Sequence, residues 1–487
     1  MVNVSAAAPA SVGVDPRRWQ ALTLVCVAFF MTVLDISIVN VALPSIARAL
    51  HFSETGLQWV ITAYAISFGG FLLLGGRTAD LLGRRRIFMV GVALFSAASL
   101  VCGLAGTTGV LLAARAVQGL GAAIIAPATL SIITTTFSEG GERNKALGIW
   151  GAMGGSGAAA GVLLGGILTQ YLGWDWIFFV NVPVGVGVLL LSRAVIKESR
   201  VESEGHDYDL VGAVSVTAGL ALLVYAISKA PTNGWGSAST IVPLIVSIVL
   251  LGFFVTWEAR ANAPLMPLGI FRIRTLSGAN TVSVLVGGVI FSNFFLVTLY
   301  VQNVLHYSAI KTGLTFLATA GTTIVVAALA QALTTRIGAR YVMAIGLAFL
   351  TAGMVWYTQI PVTGTFLSNL LPGYLLVGFG LPFAFIAASI AALEGVPPHQ
   401  AGIASGLLNT SQQIGGALGL AIVSSVAISH ANHLLKQGSS APAAFTSGYA
   451  LAFWVLAGFG VAGVVLSLVL VGPGSEAPDR QAVTVSA

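Results

Sequence analysis

Residues Leu22–Leu43 read LTLVCVAFFMTVLDISIVNVAL. The stretch is apolar and long enough to cross a bilayer as a helix, which takes roughly 20 residues. One acid, Asp35, interrupts it. A carboxylate at membrane depth costs about 2.5–3.5 kcal/mol even on the lenient insertion scale. Uptake of a proton removes most of that cost, because burial penalises the charged form. A carboxyl group that gains and loses a proton at this depth is a candidate proton carrier. The alternative is an ion pair that only holds helices together.

The rest of the chain repeats the apolar pattern. Of 487 residues, 56% are hydrophobic and 8% charged, and the mean hydropathy is +0.94. Soluble domains carry about 25% charged residues, so the composition is that of a multi-pass, all-α membrane protein. The net charge of +6 does not point to nucleic acid, because the basic residues fall in short loops between apolar spans, as membrane topology requires. Cys26 and Cys102 both lie in apolar spans and imply no disulfide framework. Arg17 and Arg18 precede the first span as in a signal peptide, but the span is too long for one and is expected to be retained.

Fourteen spans are expected, near 20–43, 57–76, 87–106, 109–131, 145–168, 175–194, 210–228, 239–257, 276–301, 311–333, 341–359, 366–391, 402–429 and 448–471. The second is interrupted by Gly69, Gly70 and Gly75, and the twelfth contains Pro382. With the N-terminus inside, 17 of the 22 Lys and Arg fall in inner loops and tails. Arg48, Lys229, Lys311 and Lys436 fall outside, and Arg115 lies within a span. This bias places both termini in the cytoplasm. GRTADLLGRRR (Gly76–Arg86) between spans two and three is echoed by QALTTRIGAR (Gln331–Arg340) between spans ten and eleven. Internal repeats of this kind mark transporters, with substrate bound between the halves. The expected division is a cytoplasmic tail (1–19), a six-helix bundle (20–200), a linker with two extra central helices (201–275), a second six-helix bundle (276–471) and a cytoplasmic tail (472–487). No GxxxxGK[ST] phosphate loop occurs, so an ion gradient is the expected energy source.

Arg115, in LLAARAVQGLGAA, is the second charge well inside a span. Counted along oppositely directed helices, Asp35 and Arg115 both sit about 10 Å below the outer edge. Their depth permits a pair, of which Asp35 is the member that titrates, since arginine stays protonated. Structural hydrogen bonding to carbonyls is the other reading of Arg115. Gly157, Gly161 and Gly165 recur every four residues (GAAAGVLLGG) and line one helix face, where another backbone can approach. That face is either simple tight packing or a sliding surface. In GRTADLLGRRR, arginines alone would serve as a cytoplasmic anchor. Gly76, Gly83 and the lone Asp80 beside Arg84 and Arg85 point to a gate.

These segments carry a resemblance. GRTADLLGRRR resembles the cytoplasmic loop motif of the major facilitator superfamily, LLAARAVQGLGAA its span-four arginine motif, and GAAAGVLLGG the antiporter motif of exporters. LDISIVNVALP, QWVITAY and WDWIFFVNVPVG resemble signatures of the 14-span drug:proton antiporters, the QacA/EmrB-like group. DLVGA, YVQNVLHYS and GIASGLLNTSQQIGGALG extend the likeness over residues 20–471. It implies two six-helix bundles plus two central helices, with the loop acting as a latch between the halves. Departures are Val162 where the antiporter motif has proline, Leu81 after the loop aspartate, and Asp175 between the outer tryptophans. Late spans hold no deep acid, which disfavours dicationic substrates.

Trp59, Tyr64, Phe68, Asn293, Phe294, Tyr300, Gln302, Phe383 and Gln413 are candidates to line a substrate cavity, since aromatic faces suit planar or cationic molecules. Each could equally be a packing or lipid-facing residue. The expected function is proton-coupled efflux of amphipathic, aromatic or cationic organic compounds across the cytoplasmic (inner) membrane, a multidrug and antibiotic-resistance activity. Dedicated export of one metabolite or lipid is the alternative. No catalytic constellation, metal site or cofactor is expected beyond protons as coupling ion. The expected partners are small organic substrates and the bilayer, not nucleic acid, and the expected working unit is a monomer.

Overall fold

The computed structural model describes residues 16–137, 141–199, 209–261, 264–397 and 400–472. Among these the chain is helical, and fourteen helices are long and apolar enough to cross a membrane. They are α1 (Arg18–Leu50), α2 (Trp59–Leu82), α3 (Arg84–Gly103), α4 (Thr108–Thr136), α5 (Gly141–Tyr171) and α6 (Trp176–Val195). There follow α7 (Leu210–Asn233), α8 (Ala238–Glu258), α9 (Arg274–Val304), α10 (Ala309–Ile337), α11 (Ala339–Tyr357), α12 (Phe366–Leu393), α13 (Ala401–Lys436) and α14 (Ala441–Leu470). Every expected span corresponds to one of these, most of them longer than hydropathy alone suggests.

The glycines that interrupt the second span do not break it. Each admits a different neighbour: a side chain at Gly70 would collide with Thr217 of α7, at Gly75 with the Ala123 carbonyl of α4, and at Gly69 would press on Gln413 of α13. Alpha-helical continuity is kept because the surrounding helices fill the space that a side chain would take. Two of the described glycines with positive φ stand at corresponding helix junctions. Gly83, with φ +107°, links α2 to α3, and Gly338, with φ +87°, links α10 to α11. Other residues reach such angles only with strain. The two positions are the corresponding points of the sequence echo, so the repeat is also conformational.

Helices α1–α6 pack mainly on one another, as do α9–α14. The two groups touch along two seams, α5 against α10 and α2 against α13. Helix α7 lies over the second seam, with α8 packed on α7: Gln58 Nε2 donates to Ser228 Oγ at 2.7 Å, and Ser425 Oγ donates to the Ile227 carbonyl at 2.9 Å. On the face opposite the N-terminus, Gln302 Nε2 of α9 donates to the Val41 carbonyl of α1 at 2.8 Å.

Candidate functional site

Asp35 lies midway along α1 and is fully buried. Three helix ends converge on it. Ser99 and Cys102 come from the last turns of α3, Arg115 and Gln118 from the start of α4, and Asn181 from the start of α6. The start of α4 is fixed by Thr107, whose hydroxyl accepts the Val110 N–H at 3.3 Å.

Arg115 Nη1 donates to Asp35 Oδ2 at 2.5 Å and to Gln118 Oε1 at 2.7 Å, while Nε donates to the Val60 carbonyl at 2.9 Å. Asp35 Oδ1 accepts from Gln118 Nε2 at 2.8 Å and Asn181 Nδ2 at 3.1 Å. Both amides also reach Ser99 Oγ, which donates to the Phe178 carbonyl at 2.8 Å. The guanidinium carbon stands 4.5 Å over the Tyr64 ring and 5.7 Å from that of Phe178. Both charges are therefore paired and hydrogen-bonded, and the guanidinium is also faced by two π-systems, which is what keeps a buried ion pair from being prohibitive.

The expected Asp35–Arg115 proximity is thus a direct ion pair. Sequence reasoning missed Gln118, Asn181 and Ser99. Signals existed, since Gln118 stands three residues after Arg115 and Asn181 lies within WDWIFFVNVPVG, but an uncharged amide in an apolar run carries no large insertion penalty to mark it.

Gly157, Gly161 and Gly165 all face α1. A Cβ at Gly161 would lie 2.7 Å from the Leu34 carbonyl and from Ser37 Cβ; at Gly157 it would lie 3.2 Å from the Phe30 carbonyl, and at Gly165 2.8 Å from that of Ile38. The glycine face therefore brackets Asp35 along its own helix. The neighbouring face of α5 meets α10: a Cβ at Gly313 would lie 2.6 Å from the Val162 carbonyl, and at Gly166 2.8 Å from Ile310 Cα.

At the loop, a Cβ at Gly76 would lie 3.3 Å from Pro127 Cβ. Glu198 accepts the Arg85 and Arg86 backbone N–H groups at 3.1 and 3.2 Å and lies 3.6 Å from Arg85 Nε. Arg84 Nε donates to Ser131 Oγ at 2.5 Å. These contacts are all within α1–α6 and the segment after α6. The Asp80 side chain lies outside the described residues.

The cavity candidates fall in several settings. Tyr64 belongs to the ion-pair site, and its hydroxyl has no hydrogen-bond partner among the described residues. Trp59 packs with the α7–α13 contact, and Phe68 lies 5.9 Å from Tyr64. Asn293 and Gln413 are buried, with Asn293 Oδ1 and Gln413 Nε2 unpartnered among the described residues. Phe294 lies 5.2 Å from Phe316. The Tyr300 hydroxyl donates to the Pro361 carbonyl at 2.5 Å, and Phe383 packs against Gly346. Gln302 lines a cavity of about 430 Å³ with Pro44, Arg48, Gln170, His306 and Tyr307. Among the described residues no group of three or more His, Cys, Asp or Glu could hold a metal ion.

The family model of the Major Facilitator Superfamily matches residues 25–420. The chain is 40% identical over 475 residues to the puromycin resistance protein pur8 of Streptomyces alboniger, covering 96% of this chain and 94% of that protein. It is 40% identical to the cephamycin export protein CmcT of Amycolatopsis lactamdurans, covering 92% of each. Its fold resembles that of the POT family transporter PepTSo, with a TM-score of 0.68 at 14% identity over 93% of this chain and 97% of the other. The length of the match, the two echoed halves and the fourteen spans agree: the chain belongs to the major facilitator superfamily.

Proposed function

We propose that the protein exports amphipathic organic compounds of antibiotic type across the cytoplasmic membrane in exchange for protons, with both termini in the cytoplasm and no cofactor. The observation that carries the coupling is the buried network around Asp35. Among the described residues Asp35 Oδ2 accepts one hydrogen bond, from Arg115. A proton taken up by this carboxyl removes the negative charge that holds the guanidinium, so protonation weakens the Arg115 contact. Arg115 then keeps the Val60 carbonyl, Gln118 Oε1 and the Tyr64 ring. A charge change at one carboxyl thereby becomes a shift of α4 against α1, which the glycine face of α5 also touches. Uptake from outside would release cargo, and deprotonation toward the cytoplasm would reset the carrier. Gly76, Asp80, Gly83, Arg84 and Arg85 would form the cytoplasmic gate, and the monomer would suffice.

The relatives named for resistance or export support efflux of organic compounds, and the transporter family argues against an enzyme. Each of those two names cites one compound, which favours the second reading, dedicated export of a single metabolite. The test is transport in proteoliposomes under an imposed pH gradient, screened over dyes, antibiotics and lipids. Gradient-driven movement of several unrelated compounds supports multidrug efflux; movement of one supports the dedicated exporter. No gradient dependence for any transported compound would overturn the coupling.

A further inference from the structure

The two added spans meet at the face that carries the N-terminus, where α7 begins and α8 ends. Asp209 caps α7 and Glu258 closes α8, and they are 7% and 3% exposed. Asp209 Oδ1 accepts the Gly212 N–H at 2.7 Å and Trp257 Nε1–H at 2.8 Å. Glu258 Oε2 accepts the Met266 N–H at 3.2 Å. The remaining oxygens, Asp209 Oδ2 and Glu258 Oε1, are buried and have no donor among the described residues. They converge on one spot: a Cβ built on Gly212 would lie 2.5 Å from the first and 2.7 Å from the second. Two acceptor-only oxygens sharing a buried site repel, and a proton between them turns repulsion into a hydrogen bond.

We propose that Asp209 and Glu258 bind one proton between them, forming a second protonation site at the cytoplasmic end of the central helix pair, remote from Asp35. The bound proton ties three pieces together: the start of α7, the end of α8, and the segment at Met266 that leads into the second bundle. Loss of the proton leaves two buried charges and loosens that tie. Besides each other, the groups acting on Glu258 are the Leu265 and Met266 amides. Arg260 is exposed and Lys229 sits at the far end of α7. Against α7, α2 brings Arg77, which is exposed, and Asp80, whose side chain lies outside the described residues; the charged groups of α13 are at its opposite end.

The full-length protein in detergent is followed by thermal unfolding from about pH 5 to about pH 9. A folded state that holds a proton the unfolded chain has released loses stability as the pH rises. The wild type is expected to show that fall. In Glu258→Gln an amide N–H faces Asp209 at every pH, and in Asp209→Asn the amide faces Glu258 while its oxygen keeps the Gly212 and Trp257 bonds, so both variants are expected to flatten the slope. Infrared difference spectra of the wild type near neutral pH should contain a protonated-carboxyl band that both variants lack. Unchanged slopes and an unchanged band in both variants would overturn the shared proton. Stabilisation of the wild type, but not of Glu258→Gln, by added Ca²⁺ or Mg²⁺ would overturn it in favour of a cation site.

Discussion

At the scale of single residues, Asp35 is held by three different donors, and only one of them is charged. Asp35→Asn keeps an oxygen for Arg115 and removes the titratable group. Its thermal stability should fall by about 3–5 kcal/mol, because the buried guanidinium loses its countercharge. Gradient-driven efflux in proteoliposomes should fall at least about tenfold, or about 1.4 kcal/mol in effective barrier. Full gradient-driven transport by the variant would remove Asp35 as the proton carrier. Arg115→Lys retains the charge and loses the fork that reaches Asp35, Gln118 and Val60 together. Impaired transport is expected with lysine, and with Arg115→Ala an added destabilisation of about 3–5 kcal/mol, as for any buried pair that loses one partner. A wild-type pH profile in Arg115→Ala would show that the two groups are uncoupled. The ion pair was legible in the sequence because both members are costly in an apolar run and helix rise gives their depth. Gln118, Asn181 and Ser99 were not, because neutral polar residues are tolerated at that depth and only tertiary packing turns them inward. The same ambiguity hides the cavity. Tyr300 anchors a carbonyl and Tyr64 stacks on a cation, yet neither differs by residue type from an aromatic that lines a binding site.

At the scale of elements, α5 presents two different surfaces. Its glycine face lies at van der Waals distance from α1 on both sides of Asp35, and the adjacent face, with Val162 and Gly166, meets α10 of the other half. Gly161→Leu would drive a side chain into the Leu34 carbonyl and Ser37. The overpacking should cost about 1–3 kcal/mol, measurable as a lower unfolding midpoint, while transport falls by a larger factor. Near-normal efflux in that variant would leave the face as ordinary packing. The period of four in GAAAGVLLGG announced a close helix contact. Its partner was not legible, since a stripe of small residues accepts any helix that arrives. The glycines of α2 teach the converse: three apparent interruptions of one span are three separate docking points for α13, α7 and α4.

At the scale of the whole molecule, the two halves meet at mid-depth through α2 and α13, where Thr410 Oγ1 donates to the Gly69 carbonyl at 3.0 Å, and again toward the face opposite the N-terminus. Gln302 reaches the Val41 carbonyl there, and Gly313 meets Val162. Gln302→Ala removes one bond between halves, worth about 0.5–1.5 kcal/mol. The population open to that face should rise by about 2- to 10-fold, read as distances between spin labels placed at the ends of α1 and α9. Both native cysteines are buried, so labels would attach at introduced ones. An unchanged distance distribution would show that Gln302 does not hold the halves closed on that face. The two-half plan was legible in the echoed loops, because glycines that permit a left-handed turn recur where the chain must reverse. The seating of α7 and α8 was not, since hydropathy reports that a helix crosses a membrane and nothing about its neighbours. That seating has a consequence for how greasy compounds reach the interior. Helix α7, backed by α8, roofs one of the two seams between the halves, so a molecule dissolved in the bilayer would find that doorway shut. Any lateral passage would be left to the seam between α5 and α10, where Val162, Gly166 and Gly313 meet, and α5 carries on its other side the glycines that pack against the Asp35 helix.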